Sequence, residues 1–339
     1  MSVERSAGPA RLIDVAERAG VSMKTVSNVI NEYAHVSART RERVVAAIEE
    51  VGYRPNLSAR NLARGRAGVI ALVVPQLSLP YFASLAGILV RAAEARGWFV
   101  LIHQTDGDPD AERAALAGNF PQRVDGMIVS SQMLDPSDVA GMNRSTPLVI
   151  LSNREFDPGT PHVSIDNRAA GAVAVRHLAT GGARRIALIG ASDLDSPAPR
   201  TKGYLDGLEN AGLPLFPELV RPVTRGTGDE GERATEELLS EAAEPPDGIV
   251  AITDWVAMGV MRALHRHGLV VPEDVSVIGF DDIPYARSLT PSLTTLAPDR
   301  HGIATMALDL LQRQMDQGVA VGQGSLQAGF TLIVRETTR

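Results

Sequence analysis

Residues 12–30, LIDVAERAGVSMKTVSNVI, decide how the chain is read. Leu12, Val15, Ala16 and Ala19 recur at helical spacing, with Asp14, Glu17 and Arg18 on the other side. Gly20 then stands where a helix needs a left-handed residue to stop. Ser22 can cap a second helix over 23–30, whose inner face is Val26, Val29 and Ile30. Ala16 is small enough for two helices to cross closely, and Ala16, Gly20 and Val26 have the spacing of a helix-turn-helix. An ordinary helical hairpin would share the apolar pattern but has no need of the tight turn or the small crossing residue. A third helix starts at Ser37 or Thr40, buries Val44, Ala47 and Ile48, and closes at Gly52 and Tyr53. Arg39, Arg41 and Arg43 near its start are available to phosphates or to solvent. Pro55 blocks continuation, and Asn56 can cap a short further helix, LSARNLAR, over 57–64.

Charge separates this head from the rest of the chain. The net charge of −7 divides into +4 over residues 1–66 and −11 over the remainder, a basic head on an acidic body. Such asymmetry suits a small domain that meets a polyanion. The 339 residues predict two or three folding units, and 44% hydrophobic with 22% charged residues is globular composition. The absence of cysteine excludes disulfides, thiolate catalysis and Cys-ligated metal centres. The first ten residues have no apolar run, and stretches such as 69–75 fall far short of the roughly 20 residues that span a bilayer. A cytoplasmic, nucleoid-associated protein with no membrane partner is expected.

From Val69 onward, short apolar runs alternate with amphipathic helical stretches. The runs VIALVV (69–74), WFVLIH (98–103), GMIVSS (126–131), LVILSN (148–153), RIALIG (185–190), GIVAIT (248–253) and VSVIGF (275–280) have strand length. Helical stretches at 82–96, 167–179 and 255–267 separate them. Runs apolar on both faces with crossover helices predict parallel sheets, and this many units divide into two doubly wound lobes. Ligands of such sheets bind outside the carboxyl ends of the strands. Polar residues there are the candidates for a small-molecule site: Asp281 and Asp282, Asp254, Asn153, Ser130 and Ser131, and Arg200 before a helix. Tyr81 and Phe82 follow the first strand and can stack on a ring, although Phe82 reads equally well as core.

The head, with DVAERAGVSMKTVS, HVSARTRERV, GYRPN and the hinge pattern ARNLARG, closely resembles the headpiece of the lactose-repressor (LacI) family of bacterial transcription regulators, without a gap over about 54 residues. In the body VDGMIVS, VSIDNRAAG, HLATGGARRIALIG, VPEDVSVIGFDD and TPSLTTL are similar to the family's recurring blocks. The resemblance implies an all-α helix-turn-helix headpiece plus an α/β periplasmic-binding-protein-like body of two doubly wound parallel-sheet lobes. The division it implies is a tail over 1–10, a helix-turn-helix domain over 11–56, a hinge helix and linker over 57–67, and an effector-binding and dimerisation domain over 68–339. Its first lobe takes about 68–166 and 298–326, its second about 167–297 and 327–339, with the helix at 299–317 returning to the first and 330–336 adding to the second.

The resemblance also assigns roles. Base-reading positions fall on Met23, Lys24 and Asn28; Lys24 can donate to guanine, Asn28 can pair with adenine, and Met23 can touch a thymine methyl. Many relatives carry Arg at the position of Asn28, so a different operator is expected. Ser22, Thr25, Ser27, Asn31, His35, Ser37, Thr40 and Tyr53 match backbone contacts, which set register without reading sequence. Asn56, Ala59 and Leu62 match the hinge, where paired helices enter the minor groove and the leucine wedges between base steps. Asp281, Arg200 and Asp254 match effector contacts, joined by Tyr81, Phe82, Ser130 and Asn153, and carboxylates with a guanidinium fork suit vicinal hydroxyls. Some relatives place a stacking tryptophan after a Gly-Asp pair. Here the stretch is Gly228-Asp229-Glu230, which removes stacking at that point and argues against a flat nucleobase.

The expected partners are double-stranded operator DNA, a sugar or sugar derivative as effector, and a second copy of the chain on a palindromic site, with no cofactor and no metal. The chain stops soon after its last strand, without the leucine-heptad tail that makes some relatives tetramers. An exported sugar-binding protein without DNA binding is the rival reading; it would need a signal segment and no helix-turn-helix. An oxidoreductase is set aside. GTGDEG at 226–231 matches G-x-G-x-x-G, but Asp229 and Glu230 stand where a pyrophosphate would approach. Neither a HExxH pattern nor a GxSxG elbow occurs.

Overall fold

A computed structural model describes residues 10–30, 33, 35–53, 66–131, 134–140, 146–154, 156–157, 159–190, 194, 197–318 and 324–339. The chain forms two compact units, residues 1–68 and 69–339. In the first, α1 (Leu12–Ala19), α2 (Met23–Ile30) and α3 (Ala38–Val51) enclose a small core of Val15, Ala16, Ala19, Val26, Val29, Val44 and Ala47. Gly20 is left-handed at φ 60°, and the turn closes with Val21 N–H donating to the Ala16 carbonyl at 3.0 Å. Ser22 Oγ accepts from Thr25 N–H at 3.1 Å to start α2, and Ser37 Oγ accepts from Thr40 N–H at 3.3 Å to start α3.

The second unit opens with β1 (Val69–Val74), α4 (Pro80–Glu94), β2 (Phe99–Gln104), α5 (Pro109–Leu116), β3 (Gly126–Ser130), α6 (Pro136–Ala140), β4 (Leu148–Leu151) and β5 (His162–Ile165). The chain then crosses to α7 (Asn167–Thr180), β6 (Ile186–Ile189), α8 (Pro199–Asn210), β7 (Val220–Arg221), α9 (Gly228–Glu241), β8 (Gly248–Ala251), α10 (Asp254–Arg266), β9 (Ser276–Phe280) and β10 (Thr294–Pro298). It returns through α11 (Arg300–Gln317), which packs on the first sheet beside α4, and ends with β11 (Ser325–Ala328) and β12 (Phe330–Ile333). One sheet has the order β11-β5-β4-β3-β1-β2 and is parallel throughout. The other has the order β12-β10-β9-β8-β6-β7 and is parallel except where β12 runs against β10.

The central strands are buried along their whole length, as β3 and β9 illustrate, because helices cover both faces. β2 is an edge strand and leaves Phe99 and Ile102 exposed. Two helix pairs in the second lobe cross at backbone contact. An added Cβ on Gly203 of α8 would stand 2.0 Å from the Arg168 carbonyl oxygen of α7. One on Gly259 of α10 would stand 1.9 Å from the Gly228 carbonyl oxygen of α9. Such approach needs residues without a side chain on both helices, and Gly171 and Gly231 supply the reciprocal positions. The crossings fix the N-terminal turns of these helices, where several cleft residues sit. Among the described residues no helix is long and apolar enough to cross a membrane.

Candidate nucleic-acid interface and ligand cleft

In the headpiece α2 buries Val26 and Val29 and turns Met23 and Lys24 out to solvent, Met23 with half its surface exposed. Asn28 is half-buried one turn further on. The hydroxyls of Ser22 and Thr25 lie 2.9 Å apart at the start of α2, and those of Ser37 and Thr40 lie 2.8 Å apart at the start of α3. Each pair therefore sits at a helix N-terminus, where N–H groups and the helix dipole favour an anion. His35 is exposed and meets the Tyr33 ring edge-on at 5.7 Å, Ser27 is half-buried, and Tyr53 packs against the headpiece core. Arg41 has a different use from the one expected. It is half-buried, and its guanidinium donates to the carbonyls of Val29 at 3.4 Å and Tyr33 at 3.1 Å, closing the end of α2. Asn31 and the hinge positions Asn56, Ala59 and Leu62 lie outside the described residues.

In the body a cleft of about 710 Å³ opens at the carboxyl ends of the strands of both sheets. Its lining includes Tyr81, Phe82, Ser130, Asn153, Arg200 and Asp281, six of the seven effector candidates. The structure brings these six together from five separate segments of the chain. Phe82 is mostly core, 8% exposed, with Tyr81 edge-on to it at 5.4 Å. Ser130 is buried at the end of β3, and Asn153 follows β4.

Arg200, the second residue of α8, is held from several sides. Its Nε donates to Asn167 Oδ1 at 2.9 Å, and its Nη1 donates to the Ile252 carbonyl at 2.8 Å. Its guanidinium carbon stands 3.4 Å from the Phe280 ring centroid. Nη2 faces Asp281 Oδ1 at 4.0 Å. Asp281 is buried and has φ 111°, a conformation that costs a non-glycine residue energy and persists only where its surroundings impose it. The next residue shows how: Asp282 accepts on its carboxylate from Arg335 at 2.6 Å and on its carbonyl from Arg300 at 3.1 Å. Burial pushes the Asp281 carboxyl up to about 7, against the pull of Arg200 and Arg300. Burial, with the nearby Asp281 charge, raises the Tyr81 hydroxyl to about 12.

Asp254 does not line the cleft. It is fully buried, accepting from Ile283 N–H at 2.9 Å on one oxygen and from the Thr295 hydroxyl at 2.5 Å on the other. Burial first, and then the Asp281 charge, raise its carboxyl to about 8. In place of the direct contact expected from the sequence, it ties the loop after β9, which carries Asp281, to β10. Its neighbours Thr253 and Trp255 reach the cleft. So does Asn167, which follows β5, a strand too short and too polar at Ser164 to stand out as an apolar run. By sequence Trp255 is no more than the start of a helix, where aromatic residues usually pack inward.

The comparisons with known proteins agree with this architecture. Residues 11–56 match the family described as "Bacterial regulatory proteins, lacI family", and residues 175–338 match a periplasmic binding protein-like domain. The HTH-type transcriptional repressor CytR of Escherichia coli (strain K12) is 34% identical over 345 residues, covering 100% of this chain and 99% of its own. The ribose operon repressor of Halalkalibacterium halodurans is 33% identical over 329 residues, covering 96% of each. A lac repressor dimer bound to operator and the anti-inducer ONPF superposes with a TM-score of 0.80 at 30% identity, over 97% of this chain and 99% of that one. The regulator CelR in complex with cellobiose gives 0.69 at 30% identity, over 96% and 99%. With a helix-turn-helix whose second helix faces solvent, a two-lobed body with its cleft at the strand ends, and full-length likeness to named repressors, the chain belongs to the lacI family of bacterial regulatory proteins and is a DNA-binding transcription regulator.

Proposed function

We propose that the protein represses carbohydrate-metabolism genes by binding a palindromic operator as a dimer, under control of a sugar or sugar derivative held in the cleft. The arrangement of Asp281 and Arg200 carries this reading. A buried carboxylate and a guanidinium fork face one cavity, the pairing that accepts from and donates to neighbouring hydroxyls. Relatives described with cellobiose and with ONPG support a sugar ligand. The lac repressor dimer on its operator, and the exposed Phe99 and Ile102 on edge strand β2, support a twofold assembly. Ligand in the cleft changes the relation of the two lobes, and thereby the operator affinity of the dimer.

Gel shifts with operator selected from a random library, with and without sugars, test this reading. Thermal-shift screening of the same sugars tests the cleft, since a ligand at 100 times its Kd stabilises by about 2.7 kcal/mol. An operator affinity that no cleft ligand alters would refute the regulatory part.

Base reading by Met23, Lys24 and Asn28 rests on their place on α2. Lys24→Ala or Asn28→Ala should each cost roughly 1–3 kcal/mol on the best operator and relax one base position. Substitution at His35 or Tyr53 should instead weaken all operators about equally. Operator selection with each variant checks both, and unchanged base preference in Lys24→Ala and Asn28→Ala would contradict the assignment.

The raised carboxyls predict a pH dependence with two opposite signs. A sugar hydroxyl donates to the ionised form of Asp281. For a group titrating near 7, the ionised fraction falls about tenfold from pH 8 to pH 6. Effector affinity should fall by about that factor, and Asp281→Asn should remove the trend. Stability of the empty protein runs the other way. Asp254 and Asp281 titrate above the ordinary carboxylate value, so the stability they contribute is present in acid and lost as pH rises through about 7 and 8. The ligand-free Tm should therefore drop by several degrees between pH 6 and 8.5. Asp254→Asn should flatten that drop, and an equal drop in this variant would count against the buried carboxyl as its source.

A further inference from the structure

The cleft contains a tryptophan for which the sequence suggested no role. Trp255 is the second residue of α10, half-buried, and lines the cavity next to Ile252 and Thr253. Like Tyr81, it packs against the core of the second lobe. Its backbone is fixed from both sides. Thr253 Oγ1 accepts from Val256 N–H at 3.2 Å, and the Gly259–Gly228 contact locks α10 on α9. The first turn of α9 lies against Trp255 itself, where an added Cβ on Gly228 would come within 3.3 Å of the Trp255 carbonyl oxygen. Trp255 thus lines the cavity from a backbone packed closely against α9.

The cavity wall has two chemical parts. Asp281, Arg200, Asn167 and Asn153 offer hydrogen bonds, while Trp255 and Tyr81 offer flat apolar surface. A large apolar face left partly in water is stabilised when a ligand covers it. A pyranose ring matches this division, with a CH face on one side and hydroxyls around its rim. We propose that Trp255 is a specificity-determining residue of the cleft, stacking on the CH face of a pyranoside whose hydroxyls meet Asp281 and Arg200. This rests on reading the cleft as the effector site.

The test uses the full chain carrying Trp98→Phe, which leaves Trp255 as its single tryptophan. The probes are glucose, galactose, cellobiose and o-nitrophenyl-β-galactoside, with the acyclic alditols sorbitol and galactitol and the nucleoside cytidine as contrasts. At least one pyranoside should raise the Tm and shift or quench the Trp255 emission, while the matching alditol does neither. The Kd of that pyranoside should rise about tenfold or more in Trp255→Ala and less in Trp255→Phe, which keeps a smaller ring. Circular dichroism and the ligand-free Tm establish that both variants are folded. A pyranoside that binds without moving the emission, with equal Kd in Trp255→Ala, overturns the role of Trp255 and leaves the effector site standing. If that pyranoside also binds Asp281→Asn unchanged, the effector-site reading falls as well. Stabilisation by cytidine and by no pyranoside overturns the ligand class. No stabilisation by any probe overturns the sugar reading and this inference together.

Discussion

Gly259→Ala should lower the Tm of the two-lobed unit by roughly 5 °C. Two effects compete. Replacing glycine inside a helix gains up to about 1 kcal/mol from propensity and from a less free unfolded chain. Against this, the new Cβ would stand 1.9 Å from the Gly228 carbonyl oxygen and 2.6 Å from the Glu232 nitrogen. Both neighbours are backbone, so no side-chain rotation relieves the overlap, and α9 must move away from α10. Overpacking costs about 1–3 kcal/mol where side chains can adjust, and here the upper end or beyond is expected. A net loss of about 3 kcal/mol corresponds to roughly 5 °C in a unit of this size. The displaced helix start carries Trp255, so ligand affinity should fall as well. Thermal unfolding monitored by circular dichroism decides the sign, and a Tm at or above the parent's would mean that the two helices do not cross as described.

Arg200→Ala should weaken effector binding by roughly ten- to a hundredfold. Three groups lose their partner at once: Asn167 Oδ1, the Ile252 carbonyl and the buried carboxylate of Asp281. The loss in binding comes from the ligand's own bond to the guanidinium: a hydrogen bond to a charged group contributes about 1.5–3 kcal/mol, and a hundredfold change in Kd corresponds to about 2.7 kcal/mol. Asp281 should also titrate higher without the guanidinium, which further reduces the ionised form that accepts from a ligand. Arg200→Lys tests geometry separately from charge. A single ammonium cannot reach Asn167, Ile252 and Asp281 in the directions the planar fork does, so it should recover only part of the loss. Calorimetric titration with the ligand found by the thermal-shift screen measures both variants. Binding by Arg200→Ala within threefold of the parent would remove Arg200 from the site.

Much of the architecture was legible in the residues because it depends on local rules. The helix-turn-helix follows from a repeat of apolar residues, a glycine that alone turns left-handed cheaply, and a serine that caps, all within 19 residues. The parallel sheets follow from runs apolar on both faces, since only strands covered on two sides have that pattern. The rule that ligands meet strand ends was enough to select Asp281, Asn153 and Ser130. The tertiary structure decided what depends on partners distant in the chain. β11, with its exposed SLQ, reads as a loop until it pairs with β5, roughly 160 residues earlier. Arg41 and Asp254 are charged residues beside functional positions, and sequence cannot separate a group that faces a ligand from one that holds a neighbour in place. For Asp254 the distinction lies in bonds to Ile283 and Thr295 across 29 and 41 residues. The glycines of α7 to α10 read as weak helix positions, because a close crossing exists only once a second helix is there. The same crossing turns Trp255, an aromatic at a helix start by sequence, into a wall of the cleft.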